Sequence, residues 1–428
     1  MLISGGKVIL PDRVLDDGAV VIDDATGRIQ AVGPRSQLMD SGLRTQNSAL
    51  RTQDSALGTQ NSALRIPHSA FISPGFIDLH NHGAWDSDFM DGTREAFEVV
   101  CAFNALHGTT SLLATSTSAE TGVILRMLEL TREAMARPPQ GSRVLGAHLE
   151  GPWLNPAMKG CHLERHCRPP SPDERRAVMA FAPAIRRVTL SPEVTGGIET
   201  TRELAAAGIV VSAGHSAMTY DEMMPAIEAG VRHVTHIFCA MSTTVRKGPW
   251  RHPGLLETTL VDDRLTTEMI ADGKHLPAAL MQLAWRCKGA DGLCLVSDAM
   301  RGAGMPAGGR STFGPRDGTE VVIADGVAML TDMSAFASSV TPLDAMVRNV
   351  VEMVGAPLHE AVRMASLTPA RIVGVADHKG SLEPGKDADL CLLDADLRIQ
   401  QTIIGGKILD RERLTQLAPK GSCLTPST

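Results

Sequence analysis

The chain has 428 residues, 43% of them apolar, and a formal net charge of −7. That length buries one large core or two; the acidic balance and the absence of a basic stripe argue against a nucleic-acid partner, and no apolar run approaches the ~20 residues of a membrane span. Eight scattered cysteines without framework spacing or a Cys-x-x-Cys pair, behind an N-terminus with no charged-then-apolar order, read as free thiols of a reducing, cytoplasmic compartment.

The first 33 residues or so alternate apolar and polar positions (Lys7–Leu10, Ala19–Ile22, Ile29–Val32) and predict short antiparallel strands. Residues 44–64 then repeat a seven-residue unit ending in Ala-Leu, at Leu50, Leu57 and Leu64. Three units are too few for a coiled coil, and their Thr, Asn and Ser are weak helix formers. A solvent-exposed insertion over about 36–66 is expected instead, which the slow growth of loop-closure entropy tolerates. From there eight apolar, strand-like runs follow: 71–79, 109–115, 143–149, 188–194, 208–214, 233–238, 265–271 and 292–297. Helix-like segments separate most of them, among them Arg94–Leu106, Thr121–Ala136 and Asp221–Ala229. This alternation predicts an α/β fold, a (β/α)8 TIM-type barrel over 71–378. A doubly wound open sheet would call for a phosphate loop or a switch-point motif, and the chain has neither. The late runs Ala388–Asp394 and Gln401–Lys407 repeat the texture of the first segment. Residues 1–70 and 379–412 are therefore expected to build one small β-sandwich domain from both chain ends, leaving 413–428, rich in Pro, Ser and Thr, as an unstructured tail.

Barrels of this kind carry chemistry at the C-terminal ends of their strands. The polar residues fall at those ends: His80 and His82 after the first run, Glu150 after the third, His215 after the fifth, His236 after the sixth, His275 after the seventh and Asp298 after the eighth. Alternate strand residues point the same way, so both imidazoles of His80-Asn81-His82 face one point. Imidazole and carboxylate are the usual ligands of Zn, Fe, Co or Mn; the residue types do not choose among these. Taken singly, each histidine has a structural alternative, Asp298 that of a helix cap and Glu150 that of an exposed loop acid, against which its place between an apolar run and the Gly151-Pro152 turn argues. The joint pattern favours a divalent-metal site, with Asp298 placed to accept a proton from water and return it to a leaving group.

Several peptides carry a family resemblance: Pro74-Gly75-Phe76-Ile77-Asp78-x-His80-x-His82, His148-Leu149-Glu150-Gly151-Pro152, Lys159-Gly160-Cys161-His162, Gly214-His215-Ser216, Thr235-His236-Ile237-Phe238, Ala271-Asp272-Gly273-Lys274-His275 and Ser297-Asp298-Ala299. The chain resembles the amidohydrolase superfamily and, within it, the deacetylases of N-acetylglucosamine 6-phosphate. The resemblance implies a principal metal on Glu150, His215 and His236, and a second on His80 and His82 with Glu150 bridging: one or two ions per subunit. It implies substrate contacts at Cys161, His162, the Cys239 and Ala240 amides, Arg251, His275, Phe336, Ala337 and Ser338, with Arg251 and the amides on the phosphate. It further implies a homodimer in which a neighbour supplies substrate contacts. Departures cluster in the pocket. Cys239 stands where the family has an amide side chain, Arg251 precedes His252-Pro253-Gly254, and about four residues near Lys247–Trp250 lengthen that loop, so that Arg246 or Lys247 is an alternative phosphate ligand. The activity the resemblance implies is hydrolysis of the N-acetyl group of N-acetylglucosamine 6-phosphate, a small-molecule amino sugar phosphate, to glucosamine 6-phosphate and acetate. Alternatives are another N-acetyl sugar or N-acyl compound, or a catalytically dead binding protein.

Overall fold

The computed structural model describes residues 1–40 and 63–423. Its centre is an eight-stranded parallel sheet in which chain order and spatial order coincide. The strands are β1 (Phe76–Asn81), β2 (Thr109–Thr115), β3 (Arg143–Glu150), β4 (Ile185–Leu190), β5 (Val210–Ala213), β6 (Val231–Val234), β7 (Thr266–Ile270) and β8 (Leu293–Val296). The barrel closes between β8 and β1. Asp298 N–H donates to His80 O, and His82 N–H to Ala299 O, each at 2.8 Å. All seven residues of β2 are buried, as a strand covered by helices outside and packed side chains inside requires. The helix Thr121–Ala136 turns Ile124, Met127, Leu128, Thr131 and Ala134 onto the sheet, the i, i+3, i+4 stripe of an amphipathic helix. Among the described residues no helix is long and apolar enough to cross a membrane.

Both chain ends meet in a small β domain beside the barrel. One sheet orders Arg28–Pro34, Gly18–Asp23, Leu2–Ser4 and Ala63–Arg65; the other orders Lys407–Ile408, Ile399–Ile404, Leu390–Leu393, Phe71–Pro74, Lys7–Ile9 and Val14–Leu15. Ile3, Val8, Val20, Ile72, Leu390 and Ile403 form part of the core between them.

The structure departs from the sequence expectations in four places. The run 71–79 is two strands: Phe71–Pro74 pairs with Leu390–Leu393 in the small domain, and only β1 joins the barrel. The break is at Gly75, where a Cβ would lie 2.2 Å from Thr110 Cγ2. The expected insertion of 36–66 is shorter at both ends, because Arg35–Asp40 is a helix and Ala63–Arg65 pairs in parallel with Leu2–Ser4; the rest of the heptad repeat lies outside the described residues. The tail expected to be unstructured from 413 is placed through Cys423. Leu414 is buried on the helix Arg411–Thr415, and Cys423 N–H donates to Gly304 O. Finally, a four-stranded antiparallel sheet that the sequence reading did not anticipate follows β8: Arg310–Phe313, Thr319–Ala324, Val327–Leu330 and Phe336–Ser339. Its central hairpin turns on Asp325-Gly326, both at positive φ (50° and 74°), the two-residue turn that matches strand twist.

Candidate metal centre

At the C-terminal mouth of the barrel, six side chains from five strand ends converge. Glu150 Oε1, His215 Nε2 and His236 Nε2 lie 3.1–3.2 Å from one another. On the other side of the same carboxylate, His80 Nε2 and His82 Nε2 are 3.1 Å apart and 3.5 and 3.4 Å from Glu150 Oε2. Asp298 Oδ1 completes this second group at 3.3 and 3.2 Å from the two imidazoles. A tetrahedral zinc with ligands at ~2.0–2.1 Å separates its ligand atoms by about 3.3 Å, so both groups have the spacing of a coordination shell, with Glu150 between them. The donor chemistry fits as well. Met158 O takes the Nδ1 proton of His215 at 2.8 Å, which leaves an Nε2 lone pair aimed at the Nε2 of His236. With Glu150 Oε1 beside it, that lone pair calls for a cation between the three atoms or a proton on His236 Nε2.

The strand ends are bent to achieve this. His215, His236 and Asp298 all adopt positive φ (49°, 27° and 45°). Such backbone costs of order 1–3 kcal/mol per non-glycine residue and persists where surrounding structure imposes it. Below these six side chains sits a buried polar layer that the sequence reading missed. Glu268 on β7 accepts from His80 Nδ1 at 2.7 Å and from His236 N–H at 3.1 Å. Its other oxygen takes the Arg187 guanidinium, which is also donated to Ser212 Oγ and Thr235 Oγ1. The carboxylate thereby fixes the His80 tautomer that leaves Nε2 free for a metal. The signal was a charged residue inside one apolar run, Glu268 in 265–271, and another directly before one, Arg187 ahead of 188–194. A third cluster of ligand types, His233, Glu268 and Cys294, lies close together in this layer, but the guanidinium on Glu268 already supplies the positive charge there.

The field at the mouth is built for a cation. Burial works against a charge on His82, yet hydrogen bonds to Asp298 and Glu150 outweigh it and carry the imidazole to about 9. Burial also opposes the His80 charge, and Asp298, Glu150 and Glu268 overcome it and push that imidazole well above its usual range. Burial raises the Glu150 and Asp298 carboxyls, but the neighbouring histidines, His80 foremost, hold both below the ordinary range. A metal entering the second group therefore displaces a proton. Uptake at pH 7 is expected to release at least one proton, and apparent affinity to rise about tenfold per pH unit until about pH 9. Calorimetric titration in buffers of different ionisation heat measures this; buffer-independent heats contradict it. By the same linkage the metal-free fold keeps the stabilisation from protonated His82 below its ordinary 6.5 and loses it as the pH rises through about 9.

The residues expected to touch substrate are divided. His162 is at the centre, its Nε2 3.3 Å from Glu150 Oε2. His275 is held at the rim by Asp272 Oδ2, 2.7 Å from its Nδ1, and packs against the half-exposed Phe336. Ser338 Oγ donates to Asp298 O, and Ala337 is buried beside it. Cys161 and Cys239 lie by the cluster as neutral thiols. Burial, then Glu150 and Asp298, pushes Cys161 well up; burial, then Asp298, pushes Cys239 to about 12. The Cys239 amide, expected on the phosphate, instead closes the turn after the sixth strand by donating to His236 O at 2.9 Å. The Ala240 amide has no such bond among the described residues. Arg251 is not brought to the centre within this chain. It sits on an exposed hairpin, Val245–Lys247 with Trp250–His252, and its Nη1 donates to Pro249 O. The extra residues near Lys247–Trp250 are the tip of that hairpin, with Gly248 (φ 60°) and Pro249 at the turn.

With this geometry in view, comparison with known proteins is specific. The model of the Amidohydrolase family matches residues 71–409. An N-acetylgalactosamine-6-phosphate deacetylase of Escherichia coli O157:H7 is 35% identical over 79% of this chain and 87% of its own. An N-acetylglucosamine-6-phosphate deacetylase of Vibrio furnissii is 33% identical over 79% of this chain and 82% of its own. A mutant N-acetyl-D-glucosamine-6-phosphate deacetylase of Mycobacterium smegmatis, solved in complex with N-acetyl-D-glucosamine 6-phosphate, superposes with a TM-score of 0.82 at 30% identity, covering 96% of this chain and 99% of that one. The chain belongs to the amidohydrolase family and, within it, to the group of amino-sugar-phosphate deacetylases.

Proposed function

We propose that this protein hydrolyses the acetamide of N-acetylglucosamine 6-phosphate, giving glucosamine 6-phosphate and acetate. The observation that carries this reading is the convergence of Glu150, His215, His236, His80 and His82 on one point with Asp298 Oδ1 at its edge. A divalent cation held by these ligands supplies Lewis acidity and lowers the pKa of water at the site. Asp298 takes the proton of the attacking water and returns it to the departing amine. His162 polarises the acyl oxygen. Ser118 N–H donates to its Nδ1 at 3.2 Å, which assigns the proton to Nε2, the atom facing the centre. Burial, against the pull of Glu150, lowers this imidazole to about 4, so it acts as a neutral donor. The nitrogen and carboxylate donors at tetrahedral spacing suit zinc. The site works in a cytoplasmic homodimer in which the exposed hairpin carries Arg251 to the phosphate in a neighbouring protomer.

A second reading changes only the sugar. It is favoured by the 35% identity to the E. coli N-acetylgalactosamine-6-phosphate deacetylase and by Cys239, which replaces an amide side chain with a neutral thiol. Steady-state kinetics on N-acetylglucosamine 6-phosphate, N-acetylgalactosamine 6-phosphate and free N-acetylglucosamine test both. Phosphate contacts by Arg251 and the Ala240 amide, worth about 1.5–3 kcal/mol as charge-assisted hydrogen bonds, are expected to favour a phosphorylated sugar at least about tenfold in kcat/KM. A preference for the free sugar would remove the phosphate from the reading. A preference for the galacto compound would select the second sugar.

A further inference from the structure

The antiparallel sheet after β8 puts one aromatic side chain directly on the metal centre. Phe313 is buried, with its ring centroid 4.9 Å from that of His82 and 5.5 Å from that of His162, both edge-on. Its position is fixed from both flanks. Arg301, itself buried and paired with Asp91 Oδ1 at 2.8 Å, donates through Nε to Thr312 O and through Nη2 to Gly314 O. Gly314 lies so close to Thr117 that a Cβ there would be 2.5 Å from Thr117 Oγ1. The ring is therefore a held wall rather than a mobile cover. Phe313 and His162 also border a pocket of about 50 Å³, lined further by Ser118, Val123 and Leu163 and opening to the surface past Glu120 and Asp317. That is room for a few water molecules at ~10–15 Å³ each, or for a short aliphatic extension.

The direction of the substrate follows from the chemistry of an acyl carbon, which bears three coplanar groups. On the deacylation reading the acyl oxygen meets His162 and the nitrogen leads to the sugar at the rim, where His275 and Phe336 pack together. The acyl chain is then left the ground beside His82, which the Phe313 ring borders.

We propose that Phe313 sets the acyl-chain length this site accepts, closing off the pocket it borders so that an acetyl group fits and a longer acyl chain does not. The inference rests on the deacylation reading above. One methylene that fits or clashes in an apolar pocket is worth roughly 10–200-fold in kcat/KM. The test uses the metal-loaded full chain and N-acetyl, N-propionyl and N-butyryl glucosamine 6-phosphate. For the wild type, kcat/KM is expected to fall at least about tenfold from acetyl to butyryl. For Phe313→Ala the butyryl-to-acetyl ratio is expected to rise at least about tenfold, with Phe313→Leu intermediate. Thermal unfolding of each variant identifies any that does not fold. If Ala does not, the Leu variant decides; if neither folds, the wild-type series decides. A wild type that cleaves acetyl and butyryl compounds equally well overturns the proposal, as does a folded variant with the wild-type length profile, and either result leaves the deacylation reading standing. A wild type that cleaves none of the three, nor N-acetylgalactosamine 6-phosphate, overturns both.

Discussion

Asp298→Asn is expected to bind substrate with little change in KM and to keep the metal of the Glu150, His215 and His236 group, while losing about 10²–10⁴-fold in kcat, the usual worth of a positioned acid–base group. The substitution keeps the shape and the side-chain oxygen that lies 3.2 Å from His82 Nε2, but an amide cannot take the proton of water or pass it to an amine. The backbone also stays in place, because Asp298 N–H donates to His80 O and Asp298 O accepts from Ser339 N–H, neither of which involves the carboxylate. The split matters: a merely structural role for Asp298 would lower stability and the metal held by Glu150, His215 and His236 together with rate. Stopped-time product assays, with metal analysis of the same sample, separate the two. A variant with near-normal kcat would remove Asp298 from the chemistry.

Glu150→Gln is expected to lose both metal groups at once. Among the described residues Glu150 alone belongs to both, Oε1 toward His215 and His236 and Oε2 toward His80 and His82. Replacing it removes a ligand from each and one of the negative charges that keep His80 and His82 attractive to a cation. Losing a group that only supports a ligand typically costs about 10–100-fold in metal affinity, so loss of the shared ligand is expected to cost more, with activity falling to background. Dialysis followed by elemental analysis measures it. Retention of two equivalents in the glutamine variant would mean that Glu150 does not bridge.

The barrel was legible because seven of its strands are short apolar runs between amphipathic helices, a pattern that packing from two sides imposes on the residues themselves. The eighth, the first in the chain, was blurred. The run 71–79 stays apolar across Gly75, although the chain passes from one domain to the other there. The site was legible for a related reason: His80, His82, Glu150, His215, His236 and Asp298 are polar residues that end apolar runs, and strand ends of a barrel share one mouth. What stayed hidden depends on contacts between distant segments. Arg187 and Glu268 look like interruptions of two strands until the fold pairs them beneath His80. Phe313 lies in strands short and half-exposed enough to read as loop, though Asp325-Gly326 marked a hairpin that was there to be found. The commitment of the Cys239 amide to His236 and the exposure of the Arg251 hairpin follow from local turns that no motif encodes.

Metal stoichiometry tests the central claim most directly. The purified chain is stripped with a chelator and titrated with zinc while deacetylase turnover and bound metal are read on the same sample. Activity that disappears with the metal and returns as up to two equivalents bind per chain is the expected result. A stripped, folded chain that binds no zinc, or one that turns over substrate at full rate without it, would contradict the account.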